Sequence, residues 1–460
     1  MNFKKSILSS AVLLPVFLTL TACGGSSGSS STTDNLPNNE ESADPDNTQP
    51  EDNSVGPRSY ADIDSDDNGL IEISSLEELD WVRNNLAGTY LVDNDGNQYT
   101  DGCPAEGCHG YELTTDLDFD TNGDGEVNSA DDYFDYDGSG NNEGWLPVGS
   151  EATPFIATFN GNDHTIRNLY INRNQQRVGL FGQTGTEGGP AVVRRLSIVD
   201  ADITNADDYT GILSGYAYDT EVSYIFTSGA LNVDEEAGGI IGNIDNSQVS
   251  HVGTEADISG YGALGGISST LVNSELKYSY SDATVYATDG TSAGLVAYVY
   301  SSSADQVAFT GTVTSTASFA APLFEWMGNN ASLTNCYATG AVLSEGTTGF
   351  AYTVTGAPAY TISNCYITSD LSAASSVVTE ASDDSGFYYA TDSTGVDTSS
   401  IGTGVTEDEL KCPTTADATF EETGCASETL FAGWDEAIWD FGTDQDLPTL
   451  RHMTTAYPID

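Results

Sequence analysis

The chain has 460 residues with 70 acidic and 12 basic side chains, a formal charge of −58. Such an excess of negative charge repels polyanions, which excludes nucleic acid and anionic lipid headgroups as partners. Between Arg195 and Lys411 the only Lys or Arg is Lys277, so one solvated acidic body, screened by counter-ions, is expected over most of the length.

The first 22 residues carry Lys4 and Lys5 and then an apolar run from Ile7 to Leu20 broken by Ser9, Ser10, Pro15 and Thr19. This run is too short and too interrupted to span a bilayer and reads as an export signal. Leu20-Thr21-Ala22-Cys23-Gly24 resembles the lipobox of bacterial lipoproteins, which implies lipidation of Cys23 and a membrane partner reached through that lipid. Gly24 after the cysteine resembles lipoproteins sent to the outer membrane. Residues 23–58 are almost devoid of large apolar side chains and cannot bury enough surface to fold; they read as a tether.

Residues 59–154 read as an N-terminal cap. Ser75 to Leu86 predicts an amphipathic helix, with Ser75 and Glu78 as a capping box, Leu79, Val82 and Leu86 on one face, and Gly88 as the stop. The segment from Asp120 to Asp131 places oxygen side chains at Asp120, Asn122, Asp124, Asn128 and Asp131, with Gly125 at the sixth position and the Glu126 carbonyl at the seventh. That is the ligand order of an EF-hand loop and predicts calcium as the cofactor. Aspartate at the twelfth position resembles the calcium loop of dockerins. Asp64, Asp66 and Asn68 repeat the first half of the pattern and predict a possible second calcium site, with Glu72 or Glu78 supplying a further oxygen. Asp93-Asn-Asp95-Gly96 is fully explained as a hairpin turn.

Residues 155–400 repeat one phrase seven times, beginning Val178-Gly-Leu-Phe-Gly182 and Thr210-Gly-Ile-Leu-Ser214 and continuing to Thr347-Thr-Gly-Phe350. Counted from Gly179 through Gly211, Gly239, Gly266, Gly294 and Pro322 to Gly349, the steps are 32, 28, 27, 28, 28 and 27 residues. Each unit adds a second apolar stretch, such as Val222 to Phe226, and often a third, such as Ala230 to Val233. Alternating short strands at this period predict an all-β fold, a parallel β-helix of seven or more rungs about 4.8 Å apart. In residues 401–460, Trp434, Trp439 and Phe441 are expected to close the last rung.

Apart from Cys23, six cysteines remain, and an even number in an exported chain favours disulfides. Fifteen connectivities are open; the local choice pairs Cys103 with Cys108, Cys336 with Cys365 and Cys412 with Cys425. Cys336 and Cys365 lie one rung apart.

The Gly-[Ile/Leu]-x-Gly phrases, the Ser363-Asn-Cys-Tyr366 strand, Phe159-Asn-Gly-Asn-Asp-His-Thr-Ile-Arg-Asn-Leu-Tyr-Ile171 and the closing Trp439-Asp-Phe-Gly442 resemble bacterial surface proteins with GLUG-motif repeats. The resemblance implies a surface β-solenoid linked to adhesion, with an extracellular glycan or protein as ligand. It assigns no chemistry. His109, His164, His251 and His452 sit in no nucleophile or zinc motif, no helix follows the glycine phrases to cradle a nucleotide, and no catalytic residue is expected. Two alternatives stand beside the binding module: a polysaccharide-degrading enzyme, by fold analogy, and an ice- or matrix-binding face suggested by Thr310-Gly-Thr-Val-Thr314. A groove with two convergent carboxylates or a stacked aromatic row would favour the enzyme; shallow faces of Ser, Thr, Asp and Asn would favour binding.

Overall fold

In a computed structural model, the described residues are 60–316, 319–328, 330–343, 348–349, 360–371, 377–378, 385–395, 402–411, 437, 439–440 and 447–450. All lie in the compact unit Ser59–Asp460. The export signal, Cys23, the tether, Cys412, Cys425, Trp434, Phe441 and His452 fall outside them.

The expected parallel β-solenoid forms, with three sheets of 17, 7 and 6 strands. The first is a long face built from strands such as Ala191–Ala206, Thr220–Val233 and Gln248–Gly260. The second is a short face of dipeptide and tripeptide strands from Thr210–Gly211 to Val377–Val378. The third face runs from Phe181–Thr184 through Ser214–Tyr218, Ile241–Asp245, Ser268–Val272 and Val296–Tyr300 to Phe324–Gly328. In the rungs through Thr220–Val233 and Gln248–Gly260 the second and third stretches read from the sequence are one continuous long-face strand; in the next rung they are separate, Glu275–Ser281 and Thr284–Ala287.

Register is set by burial. On the long face Ile71, Tyr111, Phe159, Val193, Val222, Val249, Leu276, Ala304, Leu333 and Ile362 stack rung upon rung. None is more than 1% exposed. A slip of one residue would turn such a row toward water, which is why the pairing is so strongly specified. The steps along this row lengthen to 40 residues (71 to 111) and 48 (111 to 159) at the entrance, where the insertions sit. On the short face Gly211 pairs with Gly238, and Gly238 with Gly265. The phrase alignment through Gly239 and Gly266 is therefore one residue out of register, because each of those rungs carries two consecutive glycines and identity alone does not say which one pairs.

Two columns of left-handed residues turn the chain at each rung. Arg195, Tyr224, His251, Tyr278, Gln306, Asn335 and Asn364 bend the long face, with φ between 50° and 56°. Asp219, Asn246, Asn273, Ser301 and Asn330 make the corner from the third face to the long face, with φ between 48° and 65°. Left-handed backbone costs an L-residue about 1 kcal/mol, least for Asn and Asp. At the second corner buried serines offset it. The Thr220 N–H donates to Ser247 Oγ at 3.0 Å, the Ser247 N–H to Ser274 Oγ at 2.9 Å, and the Ser274 N–H to Ser302 Oγ at 2.9 Å. Each of these hydroxyls donates in turn to the carbonyl two residues before it, at 2.6 to 2.8 Å.

The entrance helix is shorter than expected, Leu76–Trp81 followed by a 3-10 turn over Val82–Asn84. Ser75 accepts from the Glu78 N–H, but the Glu78 carboxylate returns to the N–H and hydroxyl of Ser74, so the capping box is offset by one residue. Leu79 and Val82 are fully buried in the main core and Leu86 packs against it. At the other end Trp439 does not close the last rung. It is fully buried against the flank of the long face, in a cluster with Tyr280, Ala308, Tyr337 and Tyr366 separate from the main core, and its Nε1 donates to Gln306 Oε1 at 2.8 Å. A short antiparallel pair, Trp439–Asp440 with Thr449–Leu450, carries it there.

Both described disulfides match the local pairing. Cys103–Cys108 has a Cα–Cα distance of 5.2 Å, and Cys336–Cys365 one of 4.5 Å. The second joins direct register partners inside the core. Replacing Cys336 and Cys365 together by alanine is expected to cost about 3 kcal/mol through lost loop-closure restraint; a lowered urea midpoint, with a slope equal to or steeper than that of the native protein, checks it.

Candidate functional site

The predicted loop residues come together around Asp120. Its Oδ1 accepts from the N–H groups of Gly123 and Asp124 at 2.8 and 3.1 Å, and its Oδ2 from Gly125 at 2.7 Å. Gly125 has φ of +90°, which only glycine adopts readily. Asn122 Oδ1 accepts from the Asp124 N–H and Asp124 Oδ1 from the Glu126 N–H. Asn128 Nδ2 donates to Asp124 Oδ2 at 3.2 Å and to the Glu126 carbonyl at 2.9 Å, so these oxygens point to one spot. All the side-chain donors are oxygens of the type calcium takes, and rotating the Asn128 amide would bring its Oδ1 to the same spot. Asp131 differs: it is 6% exposed, and its two oxygens accept from Asn122 and Asn128 N–H groups. Burial alone would raise its pKa, but those N–H groups and the Thr121 hydroxyl outweigh burial and hold the carboxyl below its usual range. In this arrangement its first role is to clamp the loop shut.

At the second loop Asp64, only 1% exposed, accepts from the Gly69 N–H at 2.8 Å and the Asn68 N–H at 3.1 Å. Asn68 Nδ2 bridges Asp66 and Glu112. Of the two carboxylates expected to complete this site, Glu72 lies at the loop, accepting from the Ser65 hydroxyl and N–H and pairing in register with Glu112, whereas Glu78 caps the helix. Glu112, on the next rung, is the one that reaches Asn68, a partner invisible to any local motif. Asp93 anchors the hairpin between Leu91–Val92 and Gln98–Tyr99, as the turn reading requires. His164 lies beside Asp116 on the surface. His251 stacks between Tyr224 and Tyr278 on the long-face bend, at ring distances of 4.6 and 4.8 Å. Among the described residues, the three carboxylates that converge within 4.8 Å of one another are Asp207, Asp208 and Glu235, which no motif singled out.

Most of the chemical variety lies on the outer side of the third face. Each of its strands runs inward, outward, outward, inward, as in Phe324, Glu325, Trp326 and Met327, because the chain bends sharply from the short face. The first outward residue tucks into that bend and the second lies nearer the surface. Tyr216, Asn243, Thr270, Tyr298 and Trp326 form that outer row by register; its three aromatic members are half-buried, and Asn243 and Thr270 are buried. Before each of the last four stand Gly242, Ser269, Ala297 and Glu325 in the bend. At its narrow end a side chain at Gly215 or Gly242 would strike the backbone of Arg177 or Tyr209 at 2.3 or 2.4 Å. Further along the rungs Ala263, Ala293 and Ala297 form their own small cluster with Tyr298 packed on it.

Two acids line the bend. Ser269 Oγ donates to Glu236 at 3.3 Å. Glu325 is 3% exposed, its Oε2 has no hydrogen-bond partner among the described residues, and burial pushes its carboxyl up to about 8. It is therefore a neutral acid at pH 7. Its field and that of Glu236 both raise Tyr298 and Tyr300, after the burial of those phenols themselves. Tyr300 and Trp326 rings pack at 4.3 Å. At the narrow end Arg177 lies 4.7 Å from the Tyr216 ring centre, with Nη2 2.9 Å from Glu151.

Along the serine corner runs a shallow groove of about 430 Å³, lined by Asn246, Ser247, Asn273, Ser274, Glu275 and Ser302 among others. No helix among the described residues is long and apolar enough to cross a membrane.

No family model matches the chain. It is 32% identical over 128 residues to halomucin of Haloquadratum walsbyi, covering 27% of this chain and 1% of that protein. It is 34% identical over 116 residues to a provisionally named Gly-rich membrane protein of Evansella cellulosilytica, covering 25% of this chain and 11% of that one. The chain thus spans only a small part of these relatives. A solved structure, provisionally named an immunoglobulin A1 protease of Bacteroides ovatus, aligns with a TM-score of 0.44 and 16% identity over 83% of this chain and 92% of that one.

Because Glu325 is neutral when folded and ionises near its ordinary 4.5 when unfolded, its contribution favours folding below pH 4.5 and is lost as pH rises through about 8. Glu325→Gln is expected to melt progressively above the native protein between pH 5 and 8, with a gap growing by up to about 1.4 kcal/mol per pH unit. Parallel melting curves across that range would show a solvated, ionised Glu325.

Proposed function

We propose that this chain is an exported, lipid-anchored and calcium-braced β-solenoid that acts as a non-catalytic binding module at the outer membrane surface, with an extracellular glycan or protein as ligand. The observation that carries this reading is the character of its outer faces: the groove along the corner is shallow and lined by serine and asparagine, which suits the display of hydrogen-bonding groups more than the enclosure of a reaction. Sequence similarity to a halomucin and to a provisionally named membrane protein, and resemblance to GLUG-repeat surface proteins, support a place at the cell boundary.

Calcium enters as a brace for the entrance. Asp120, Asn122, Asp124, Asn128 and the Glu126 carbonyl would hold it, Asp131 keeping the loop closed around them; Asp64, Asp66 and Asn68 would form a second, smaller site. Bound calcium would neutralise acids that otherwise repel one another on adjoining insertions. The mature protein is expected to lose several degrees of Tm when calcium is chelated, and Asp120→Ala to remove most of that difference, the remainder belonging to the smaller Asp64 site. Identical melting with calcium and with chelator, together with no metal by elemental analysis, would remove calcium from this account.

The enzyme alternative has one observation in its favour, a buried, neutral Glu325 in the same bend as Tyr298, Tyr300 and Trp326. A lyase for acidic sugars would also need a free cation, and Lys277 is paired with Glu275 at 2.7 Å. An ice-binding face would need a long threonine row, whereas the outward row through Thr312 reads Asp257, Thr284, Thr312 and Ala341. The binding module predicts retention of the mature protein on arrayed extracellular glycans or matrix proteins, with no change in ligand mass after overnight incubation. Cleaved ligand would establish the enzyme instead.

A further inference from the structure

Arg177 is one of 12 Lys and Arg set against 70 acids, and its surroundings hold its side chain firmly in one place. Its backbone is left-handed, with φ of 61°, a conformation that Asn or Gly would adopt at lower cost, so arginine stands there for its side chain. The guanidinium lies 4.7 Å from the Tyr216 ring centre, and Nη1 donates to Gln183 Oε1. Gln183 is itself 7% exposed and tied through Nε2 to the Gly185 carbonyl at 3.1 Å. Ring and amide fix the plane of the guanidinium, while Nη2 meets Glu151 at 2.9 Å.

Room and access lie on that side. A cavity of about 370 Å³ is lined by Arg177 and by Ser150, Glu151, Gln175 and Gln176 among others. Ser150, Glu151 and Gln176 are exposed, so its mouth opens to solvent. The two members of the ion pair are unequal: the Arg177 side chain is 17% exposed and that of Glu151 77%. A carboxylate so exposed gains little from its pairing and exchanges readily with water. The turn that carries it closes without it, because the Ser150 N–H donates to the Thr153 carbonyl at 2.9 Å and the Thr153 N–H to Ser150 Oγ at 3.2 Å. Glu151 is thus a displaceable carboxylate on a cation that stays in place.

We infer that this cavity is a subsite for a uronic acid residue of an extracellular glycan, whose carboxylate takes the place of Glu151 on Arg177. This rests on the binding-module reading and deepens it. A guanidinium held in one plane is matched to a carboxylate by geometry as well as charge. Ser150, Gln175 and Gln176 supply hydroxyl and amide groups of the kind that pair with sugar hydroxyls, and the volume is that of a small-ligand pocket. The net charge of −58 repels a polymer that is charged on every unit, so the glycan that fits carries its acidic residue among neutral ones.

The test uses the mature protein and a fluorescent xylo-oligosaccharide carrying one glucuronate branch, against the same oligosaccharide with that carboxyl reduced to the alcohol. Expected is at least fivefold tighter binding of the acid. Glu151→Gln, which removes the competing carboxylate from an exposed turn, should tighten binding of the acid at least threefold and leave the reduced probe unchanged; an ion pair with a purely structural role would give no gain. Arg177→Gln should lose the preference, but it also strips Tyr216 of its partner, so Glu151→Gln is the deciding variant. Arg194→Gln, at an exposed cation on the long face, should change neither affinity. Equal binding of the two oligosaccharides, or no gain in Glu151→Gln, overturns the inference. So does equally tight binding of the peptide acetyl-Gly-Ser-Gly with a free terminal carboxylate, which would make the occupant a protein. Retention of the same protein on arrayed neutral glycans or matrix proteins tells that failure apart from failure of the binding module itself.

Discussion

Stacking in register is the constraint on which everything else in this molecule depends. A rung has no core of its own; its Val, Leu and Ile side chains are buried only because the same positions above and below are apolar. The chain must therefore return to the same path every 27 to 29 residues through its middle rungs, as in Val222, Val249, Leu276, Ala304 and Leu333. Single left-handed residues turn it at the same two places in each rung, and serine hydroxyls tie each corner to the next. Hydrogen bonding between corners makes the rungs cooperative, since a displaced serine leaves a buried N–H of its neighbour without an acceptor.

The same constraint governs where chemistry can appear. Inward positions are closed to change, whereas outward rows are free to vary so long as the backbone path is kept. The bend behind the third face shows this: Gly215 and Gly242 are forced by backbone approaching to 2.3 and 2.4 Å, yet two and three rungs beyond Gly242 the space admits Ala297 and Glu325. Among the described rungs the long insertions sit at the entrance, where the loop from Asp120 to Asp131 hangs outside the ladder that Tyr111 and Phe159 continue.

The two aromatic groupings on the flanks have different physical origins. Tyr224, His251 and Tyr278 stack because they occupy the left-handed bend at one position on successive rungs. Tyr280, Tyr337 and Tyr366 are covered by the terminal pair carrying Trp439, which turns an outward row into a second core. Rows of one residue type therefore do not by themselves declare a binding face; what covers them decides.

The repeat period, the apolar alternation, the helix around Leu79 and Val82, the Cys336–Cys365 pairing and the tight turn of the Asp120 loop were legible in the sequence, because each depends on residues close together or at one fixed spacing. Register through the double glycines was not, since Gly238 and Gly239 are chemically identical and only burial of their neighbours chooses between them. Glu112 beside Asn68, Glu325 in its bend, and Trp439 on the flank were decided by tertiary structure alone. Their partners lie on other rungs, and one acid among 70 has no mark in the sequence until the fold removes it from water.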